Sequence, residues 1–241
     1  KRRCSSHRAK ARLSLRLKNA LNTTPKQPII MDAPSFSDAA VTAAEAATGV
    51  FTHTFGAFDT GIQITIRTRD RARAQHAFHC IQQQCEMYEH LLSKTIPTSD
   101  VSRLNNAHGQ TTRIADTTAR VIAAALHYCR NSRGRFDITV GQVSACWNFK
   151  QRIVADAQQL AQAVTHVDWR NVRVFKCDGA SYAQLADAKA AIDLGGIAKG
   201  WIADELTGLL EAQGLCDFVL NLGGNVVVRG RNAHGNPWPM S

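Results

Sequence analysis

The chain has 241 residues, which is enough for one full hydrophobic core or two small ones. Its formal net charge of +10 is concentrated at one end: residues 1–30 hold nine Lys or Arg and no acid, while the remainder has 20 basic against 19 acidic residues. The tail has no aromatic residues that could stack on bases. The sequence therefore argues against specific nucleic-acid binding, and weak contact of residues 1–30 with an anionic surface stays open.

The cysteines and the apolar segments bear on the compartment. The seven cysteines are irregularly spaced and form no Cys-x-x-Cys motif, and most lie in apolar patterns where a reduced cysteine packs as a small hydrophobic residue. No apolar run is long enough to span a membrane, and charges interrupt the leucines of the tail, unlike those of a secretory signal. These features favour a reducing, cytoplasmic compartment.

The first half of the chain predicts a tail followed by a strand and a long helix. Residues 1–50 are predicted to be a disordered tail and linker, and residues 51–241 one domain. Alternating isoleucines predict a half-buried strand at 61–68. A helix is predicted at 71–92, and residues 93–113 are predicted to be loop. The helix has an apolar stripe at helical spacing, formed by Ala74, Phe78, Ile81, Cys85, Tyr88 and Leu92.

The second half mixes helices and strands without a strict βαβ rhythm. Helices are predicted at 117–131 and near 155–165, and strands at Val172–Phe175, 217–222 and 225–230. This order predicts an α+β fold with a mixed sheet rather than a doubly wound one.

The stretch DLGGIAKGWIADEL, which begins at Asp193, reads as a strand-to-helix junction. The strand would end at Ile192, and the helix would end before Gly214. Adjacent glycines at the start of a helix allow close approach of a ligand to backbone N–H groups, which suits a phosphate. Asp193 would repel that phosphate unless a cation intervened. Taken alone, this segment is better explained as a tight structural turn, because it matches neither the dinucleotide fingerprint nor a P-loop.

Two further segments are informative. In NLGGNVVVRG, two strands joined through Gly223 and Gly224 predict a hairpin. In RGRFDITVGQ, Asp137 lies between an aromatic residue and a β-branched run, so a buried carboxylate there must accept hydrogen bonds or bind a cation.

Five segments, taken together and in this order, resemble the ApbE family of FAD:protein FMN transferases. The resemblance runs from about residue 51 to the last residue. The segments are FGAFDTGIQITI (55–66), LLSKTIPTSDVSRLNNA (91–107), GRFDITVG (134–141), DLGGIAKGWIAD (193–204) and NLGGNVVVRG (221–230) with Pro237–Trp238.

The resemblance implies a fold and an activity. The fold would be α+β, with a mixed, largely antiparallel sheet flanked by helices. The activity would be the Mg²⁺-dependent transfer of FMN from FAD to a Ser or Thr hydroxyl of a target flavoprotein, which leaves a phosphoester. Many members of the family are associated with the cell envelope, which is the alternative to a cytoplasmic location.

The resemblance also implies roles for individual residues. Asp193 would contact FAD, the backbone carbonyl of Gly196 would ligate the metal ion, and Lys199 would neutralise pyrophosphate charge as the catalytic and cofactor-binding lysine. The flavin-binding loop would comprise Arg135, Phe136 and Asp137. Three positions depart from the family pattern: Phe58 stands for a methionine, Asp59 for a glycine, and Thr95 for an aromatic residue that stacks on the flavin.

Length is a further departure. The family continues past its Pro-Trp segment to an acidic loop whose Asp and Thr complete the metal site, whereas this sequence ends at Ser241. On this basis the 241-residue chain is expected to lack most carboxylate ligands of the metal. The alternative function is a truncated, non-catalytic flavin-binding or interaction protein. A flavoprotein that itself accepts FMN, at Ser37–Thr42, is a further alternative that fits the acceptor pattern less well.

Overall fold

The computed structural model describes residues 48–147 and 155–239. The predicted tail and linker therefore lie almost entirely outside the described residues. Among the residues described, no helix is both long and apolar enough to cross a membrane. The compartment stays a prediction.

A four-stranded antiparallel sheet forms one layer of the fold. Its strands are β1 (Val50–Ala57), β2 (Thr60–Arg67), β6 (Phe218–Leu222) and β7 (Asn225–Arg229), in the spatial order β1-β2-β6-β7. The alternating isoleucines predicted to form a strand lie on β2, and all three are buried. The prediction missed β1 as a separate strand, because its Thr, His and Gly residues lack a continuous apolar alternation.

A second, three-stranded antiparallel sheet consists of β3 (Thr112–Ile114), β4 (Val172–Cys177) and β5 (Ala180–Leu185), in the order β3-β5-β4. The predicted strand at Val172–Phe175 is the first part of β4. Neither β3 nor β5 was predicted. The first is only three residues long, and the buried face of the second consists of Ser181, Ala183 and Leu185, too little apolar bulk to indicate a strand.

Two long helices follow the predictions closely. Helix α1 spans Arg71–Leu92, with every residue of the predicted stripe buried, and α3 spans Asp116–Asn131. Helix α1 begins where the side chain of Asp70 accepts a hydrogen bond from the backbone N–H of Arg73 at 3.0 Å, as an N-cap does. The remaining helices are α2 (Asp100–Asn105), α4 (Gly141–Ser144), α5 (Ala157–Val164) and α6 (Ala198–Ala212), and Trp169–Asn171 form a 3₁₀ turn.

The core lies between these helices and the two sheets. Helices α1 and α6 pack on each other and on the four-stranded sheet, while α3 packs on the three-stranded sheet. The observed architecture is thus α+β, with antiparallel sheets flanked by helices, as expected. Burial raises the pKa of the Cys85 thiol to about 12, and the nearby Glu86 and Glu89 add to that shift, so this cysteine acts as a hydrophobic core residue.

The hairpin turn between β1 and β2 has side chains where glycine is usual. Phe58 and Asp59 have φ of 56° and 55°, the left-handed region that two-residue hairpin turns require and that bulky residues rarely adopt. The Phe58 N–H donates to the carboxylate of Glu89 on α1 at 2.9 Å, and the ring packs against the core. These contacts hold the turn in a conformation that its sequence disfavours.

The strand predicted to end at Ile192 is absent. Within the described residues, Ala191 makes only an isolated parallel bridge to Val140. Instead, the side-chain amide of Asn105 takes the place of a neighbouring strand. Its Nδ2 donates to the Ile192 carbonyl at 2.9 Å, and its Oδ1 accepts from the Ile192 N–H at 2.8 Å. The chain leading to Asp193 is thus held by the Asn105 side chain at Ile192, and by backbone bonds from Gly141 to the Ala191 carbonyl and from Asp193 to the Ile138 carbonyl on either side.

Candidate functional site

The segment between Ile192 and α6 carries the predicted junction. The N–H groups of Ile197 and Ala198 both donate to the Leu194 carbonyl, at 3.0 and 2.8 Å, and this tight turn starts the helix. Gly195 and Gly196 lie exposed on its outer side. Within the part of the chain that the structure describes, Gly196 makes no hydrogen bond through either its N–H or its carbonyl. Both groups are therefore available to a ligand.

The carboxylate of Asp193 is the most heavily bonded group of the junction. Its Oδ2 accepts from Nζ of Lys94 at 2.6 Å and from Oγ of Ser144 at 2.8 Å, and its Oδ1 accepts from the Gly195 N–H at 2.9 Å. The side chain of Asp193 is 17% exposed, and that of Lys94 is 44% exposed. The pair thus joins a largely buried acid to a base that still faces solvent.

Opposing effects act on the pKa of Asp193. Burial alone would raise it, because a buried carboxylate loses hydration. The hydrogen bonds from Lys94, the Gly195 N–H and Ser144, together with the charge of Lys94, outweigh burial and bring the pKa below its ordinary value. Asp193 is therefore an ionised acceptor at neutral pH, as a carboxylate that receives a ligand donor must be.

The loop that carries Lys94 is fixed by serines. Oγ of Ser93 accepts from the N–H groups of Thr95 and Ile96 at 3.1 and 3.2 Å, while the Ser93 carbonyl accepts from the hydroxyl groups of Ser99 and Ser102. Ser99 also caps α2, where its side chain accepts from the Ser102 N–H at 2.9 Å. The serine positions of the segment 91–107 thus build the loop itself.

The acid of the same segment has a structural role. Asp100 is buried and accepts hydrogen bonds from the Ala115 N–H at 2.7 Å, from the Thr118 hydroxyl at 2.6 Å and from the Arg103 guanidinium. These bonds join α2 to the start of α3. Together with the Asn105 amide, they anchor the loop that brings Lys94 to Asp193.

Asp137 is hydrogen-bonded, as its position in the sequence predicts. Its Oδ1 accepts from the N–H and hydroxyl of Thr139 at 2.9 and 2.6 Å, and its Oδ2 accepts from the Trp169 N–H at 3.1 Å. The next residue, Ile138, accepts through its carbonyl from the Asp193 N–H at 2.7 Å. The Asp137 carboxylate thus stabilises the loop whose Ile138 carbonyl accepts from the Asp193 backbone.

A cleft of about 550 Å³ opens beside the junction. Phe136 and Gly196 both line it, and a Cβ added at Gly196 would lie 3.1 Å from Cε2 of the Phe136 ring. Trp201 lies in its wall, edge-on to Tyr88 with ring centroids 5.6 Å apart and with the Arg120 guanidinium carbon 5.2 Å from its ring centroid. Aromatic and backbone groups therefore meet in one concave surface, as in small-molecule sites.

Three other predicted site residues, Lys199, Thr95 and Arg135, make few contacts with the rest of the described chain. Lys199 is half-buried in the first turn of α6 and makes no ion pair with a described residue. Thr95 is exposed, and its hydroxyl lies 3.0 Å from that of Ser93. Arg135 is exposed, and its side chain bonds to none of the described residues. The structure brings Phe136 to Gly196, and Asp193 to the loop containing Thr95; Phe58 lies in the β1–β2 turn.

The described residues supply only part of the predicted metal site. Mg²⁺ prefers six oxygen ligands in near-octahedral geometry. The carbonyl of Gly196 is a suitable hard ligand and is free of internal bonds, but the described residues bring together no group of three His, Cys, Asp or Glu that could hold a metal ion. These residues do not by themselves make a magnesium site, so no chemical step is derived through a metal below.

Sequence reasoning missed three residues of the site: Lys94, Ser144 and Trp201. Lys94 lies next to Thr95 in a segment already singled out, but its partner Asp193 is 99 residues away in sequence. Ser144 follows the GRFDITVG segment closely, and Trp201 belongs to the junction segment itself. All three residues lie in or near segments identified from the sequence, but the sequence does not show which of these residues contact one another in the fold.

Comparison with known proteins places the chain in a family. The sequence profile described as "ApbE family" matches residues 20–241. A FAD:protein FMN transferase of Treponema pallidum (strain Nichols) is 33% identical over 66% of this chain and 44% of that protein. A FAD:protein FMN transferase of Klebsiella pneumoniae (strain 342) is 28% identical over 71% of this chain and 51% of that protein. The chain thus spans about half the length of the curated relatives it matches.

Solved structures show the same fold. The flavin transferase ApbE from Vibrio cholerae superposes with a TM-score of 0.71, at 21% identity, over 79% of this chain and 62% of that one. The ApbE protein from Thermotoga maritima superposes with a TM-score of 0.68, at 22% identity, over 78% of this chain and 62% of that one. Family profile, relatives and fold agree, and the chain belongs to the ApbE family.

Proposed function

We propose that this protein binds FAD and transfers its FMN moiety to a hydroxyl group of an acceptor protein. The proposal rests on membership of the ApbE family, whose curated relatives are named FAD:protein FMN transferase, and on the geometry of the junction. The acceptor we propose is a flavoprotein with a Ser or Thr hydroxyl. In such a transfer the pyrophosphate bond breaks, AMP leaves, and the acceptor hydroxyl loses its proton as its oxygen bonds to phosphorus.

One observation carries the proposal: the ionised Asp193, the backbone of Gly196, which no described residue pairs, and the aromatic cleft at Phe136 occur together just before α6. A helix start offers N–H groups and positive potential to an anion such as pyrophosphate. Phe136, in the wall of the cleft, offers an aromatic ring to the flavin. The ionised Asp193 can accept a hydrogen bond from the nucleotide.

Lys199 is the cation we propose for the pyrophosphate. It is half-buried in the first turn of α6, and its ammonium has no competing carboxylate among the described residues. Phosphoryl transfer depends on positioning and on neutralising charge that develops on the phosphate oxygens and the leaving group. A lysine in the first turn of α6 can both position the pyrophosphate and neutralise this charge. Mg²⁺ dependence is part of the proposal, with the Gly196 carbonyl as the ligand that this part of the chain offers.

The first test is equilibrium binding. The protein is titrated with FAD, ADP and NAD by calorimetry, and we expect FAD to bind at least about tenfold more tightly than either competitor, because only FAD offers both a flavin ring and a pyrophosphate. Equal affinity for NAD and FAD would replace the flavin assignment with a general dinucleotide pocket.

The second test is transfer itself. Covalent flavin on an acceptor protein is followed by fluorescence after denaturing electrophoresis, with and without Mg²⁺. Lys199→Ala is expected to lower the rate of transfer more than it lowers FAD affinity, because charge neutralisation matters most in the transition state. Lys189→Ala, at an exposed lysine of the preceding turn, is the matched control and should transfer FMN at the parent rate. If Lys199→Ala does the same, the junction has only a structural role.

A further inference from the structure

We infer that Lys94 is a second phosphate-binding residue of this site. Its ammonium would bind a pyrophosphate oxygen of the dinucleotide, and the carboxylate of Asp193 would hold the ammonium in position. This inference rests on the proposed function and adds to it a residue that neither the sequence segments nor the family resemblance assigned. The contacts of its ammonium with Asp193 and Ser144 are what distinguish Lys94 from other exposed lysines.

Among the described residues, the Lys94 ammonium finds partners for two of its three N–H donors. It donates to Oδ2 of Asp193 at 2.6 Å and to Oγ of Ser144 at 3.0 Å, and an ammonium has three N–H groups in total. The side chain remains 44% exposed, so a ligand can reach it from solvent.

The position of the ammonium favours an anion. Asp193 accepts from Lys94 through one oxygen and from the Gly195 N–H through the other, so a single carboxylate group separates the ammonium from the start of α6. Gly196 follows Gly195 directly, so the proposal puts a single anion between the Gly196 N–H and the Lys94 ammonium. The charge of Lys94 compensates that of Asp193, and Lys199 in the first turn of α6 adds a further positive charge. The ion pair thus resolves the conflict between an acid and a phosphate at one junction.

Lys94 is also held in advance of binding. Oγ of Ser93 accepts from the N–H groups of the two residues that follow Lys94, and two hydroxyl groups donate to the Ser93 carbonyl. A preorganised cation loses less conformational freedom when a ligand arrives, so more of its electrostatic attraction appears as affinity. The neighbouring Thr95 has a hydroxyl and no aromatic ring, so this loop offers a ligand charge and polar groups rather than a stacking face.

The experiment compares a ligand that has phosphates with one that has none. FAD and riboflavin are titrated by calorimetry into the parent protein, Lys94→Met and Lys94→Arg, at low and at moderate salt. The control is Lys176→Met, which breaks another exposed lysine–aspartate pair, to Asp116 at 3.4 Å on the three-stranded sheet. Urea unfolding of each variant confirms that it is folded.

For Lys94→Met we expect FAD to bind roughly ten- to a hundredfold more weakly, as for loss of a charge-assisted hydrogen bond. Riboflavin affinity should change by less than about twofold, since riboflavin has no phosphate for Lys94 to contact. Lys94→Arg should keep most of the FAD affinity, and the salt dependence of FAD binding should become shallower in Lys94→Met alone. Lys176→Met should match the parent.

Three results would overturn the inference. Unchanged or tighter FAD binding by Lys94→Met would mean that Lys94 competes with the ligand for Asp193. Equal weakening of FAD and riboflavin would mean that Lys94 only positions Asp193. Loss of FAD affinity in Lys94→Arg as large as in Lys94→Met would mean that shape, not charge, matters. If the parent protein binds neither FAD nor riboflavin, the proposed function fails instead.

Discussion

The tetrapeptide Asp-Leu-Gly-Gly at 193–196 and the tetrapeptide Asn-Leu-Gly-Gly at 221–224 differ in one side chain, yet they build different structures. In each, the first side chain accepts a hydrogen bond from a glycine N–H: Asp193 from Gly195 at 2.9 Å, and Asn221 from Gly224 at 2.8 Å. The first tetrapeptide opens a helix, and the second closes a hairpin.

The glycines serve different needs in the two places. Gly223 and Gly224 have φ of 63° and 93°, so the turn between β6 and β7 requires the left-handed region. Neither Gly195 nor Gly196 adopts a positive φ. What they provide is an open backbone beside Phe136 and Asp193. In the hairpin, glycine is needed for the conformation of the chain itself; at the junction, it is needed for access.

The two first residues differ just as clearly. Asn221 lies within β6, paired with Gln63 on one side and Val226 on the other. Asp193 is joined to Lys94 and Ser144 instead. The glycine pair alone therefore does not indicate a ligand site. The charge that precedes it, and the cation that meets this charge, distinguish the candidate site from the turn.

The largest effect on stability is expected at the hairpin. In Gly223→Ala, the new Cβ would meet the side chain of Thr60, and alanine would have to adopt a positive φ. Overpacking and the left-handed backbone together should lower the free energy of unfolding by about 2–4 kcal/mol. Urea unfolding measures this. In Gly224→Ala nothing lies within 4 Å of the Cβ, so the control should lose only about 1 kcal/mol. Equal losses would mean that Thr60 moves freely.

A smaller, pH-dependent effect is expected at the first residue of the junction. The folded-state pKa of Asp193 is lowered below the ordinary value of 3.8, so its carboxylate stabilises the fold above that pH and ceases to do so as the pH falls through the folded-state pKa. At pH 7, Asp193→Asn should lower the free energy of unfolding by about 1–3 kcal/mol.

Urea unfolding at pH 7 and near pH 3 checks the sign of this effect, since the difference between parent and Asp193→Asn should shrink on the acid side. Asp178→Asn, at an exposed turn residue between β4 and β5, is the control and should change stability by less than about 0.5 kcal/mol at either pH. A difference that grew on acidification would contradict the lowered pKa.

The smallest effect on stability is expected at Gly196. In Gly196→Ala, the ring of Phe136 has to move by a few tenths of an ångström from a Cβ at 3.1 Å, with no positive φ to resist the change. The free energy of unfolding should fall by less than about 1 kcal/mol. FAD affinity should nevertheless fall about tenfold, because the methyl group covers the backbone that the ligand approaches. If Gly196→Ala instead loses as much stability as Gly223→Ala and keeps its FAD affinity, the glycines of both tetrapeptides have only a structural role.

Much of the fold follows from periodic sequence patterns. The stripe of α1 and the isoleucines of β2 predict their elements because each has one buried face. Short elements escape this reasoning. The helix α2 lies in a segment predicted to be loop, and its start depends on one serine cap; β5 buries serine and alanine, which carry little apolar signal.

The candidate site was predictable to a lesser degree. Gly196 and Phe136 were identified through resemblance, and the structure adds that they face each other. Asp193 was recognised as an acid in an unfavourable place, but the cation that compensates it lies far away in sequence. Contacts between distant segments depend on how helices and sheets pack, and no local pattern encodes them. For this reason Lys94 emerges only from the folded chain.

The amide bonds between Asn105 and Ile192 have a dynamic consequence. Strands are held by ladders whose rungs open together, so their loosening is a cooperative event. The backbone N–H and carbonyl of Ile192 are instead both bonded to one side chain, that of Asn105, while the neighbouring Ala191 carbonyl and Asp193 N–H are bonded to backbone groups of Gly141 and Ile138. Rotation of the Asn105 side chain therefore frees the Ile192 amide without opening either sheet or the two neighbouring backbone bonds. Exchange of the Ile192 amide hydrogen with solvent should report this side-chain rotation alone, separately from any loosening of the sheets.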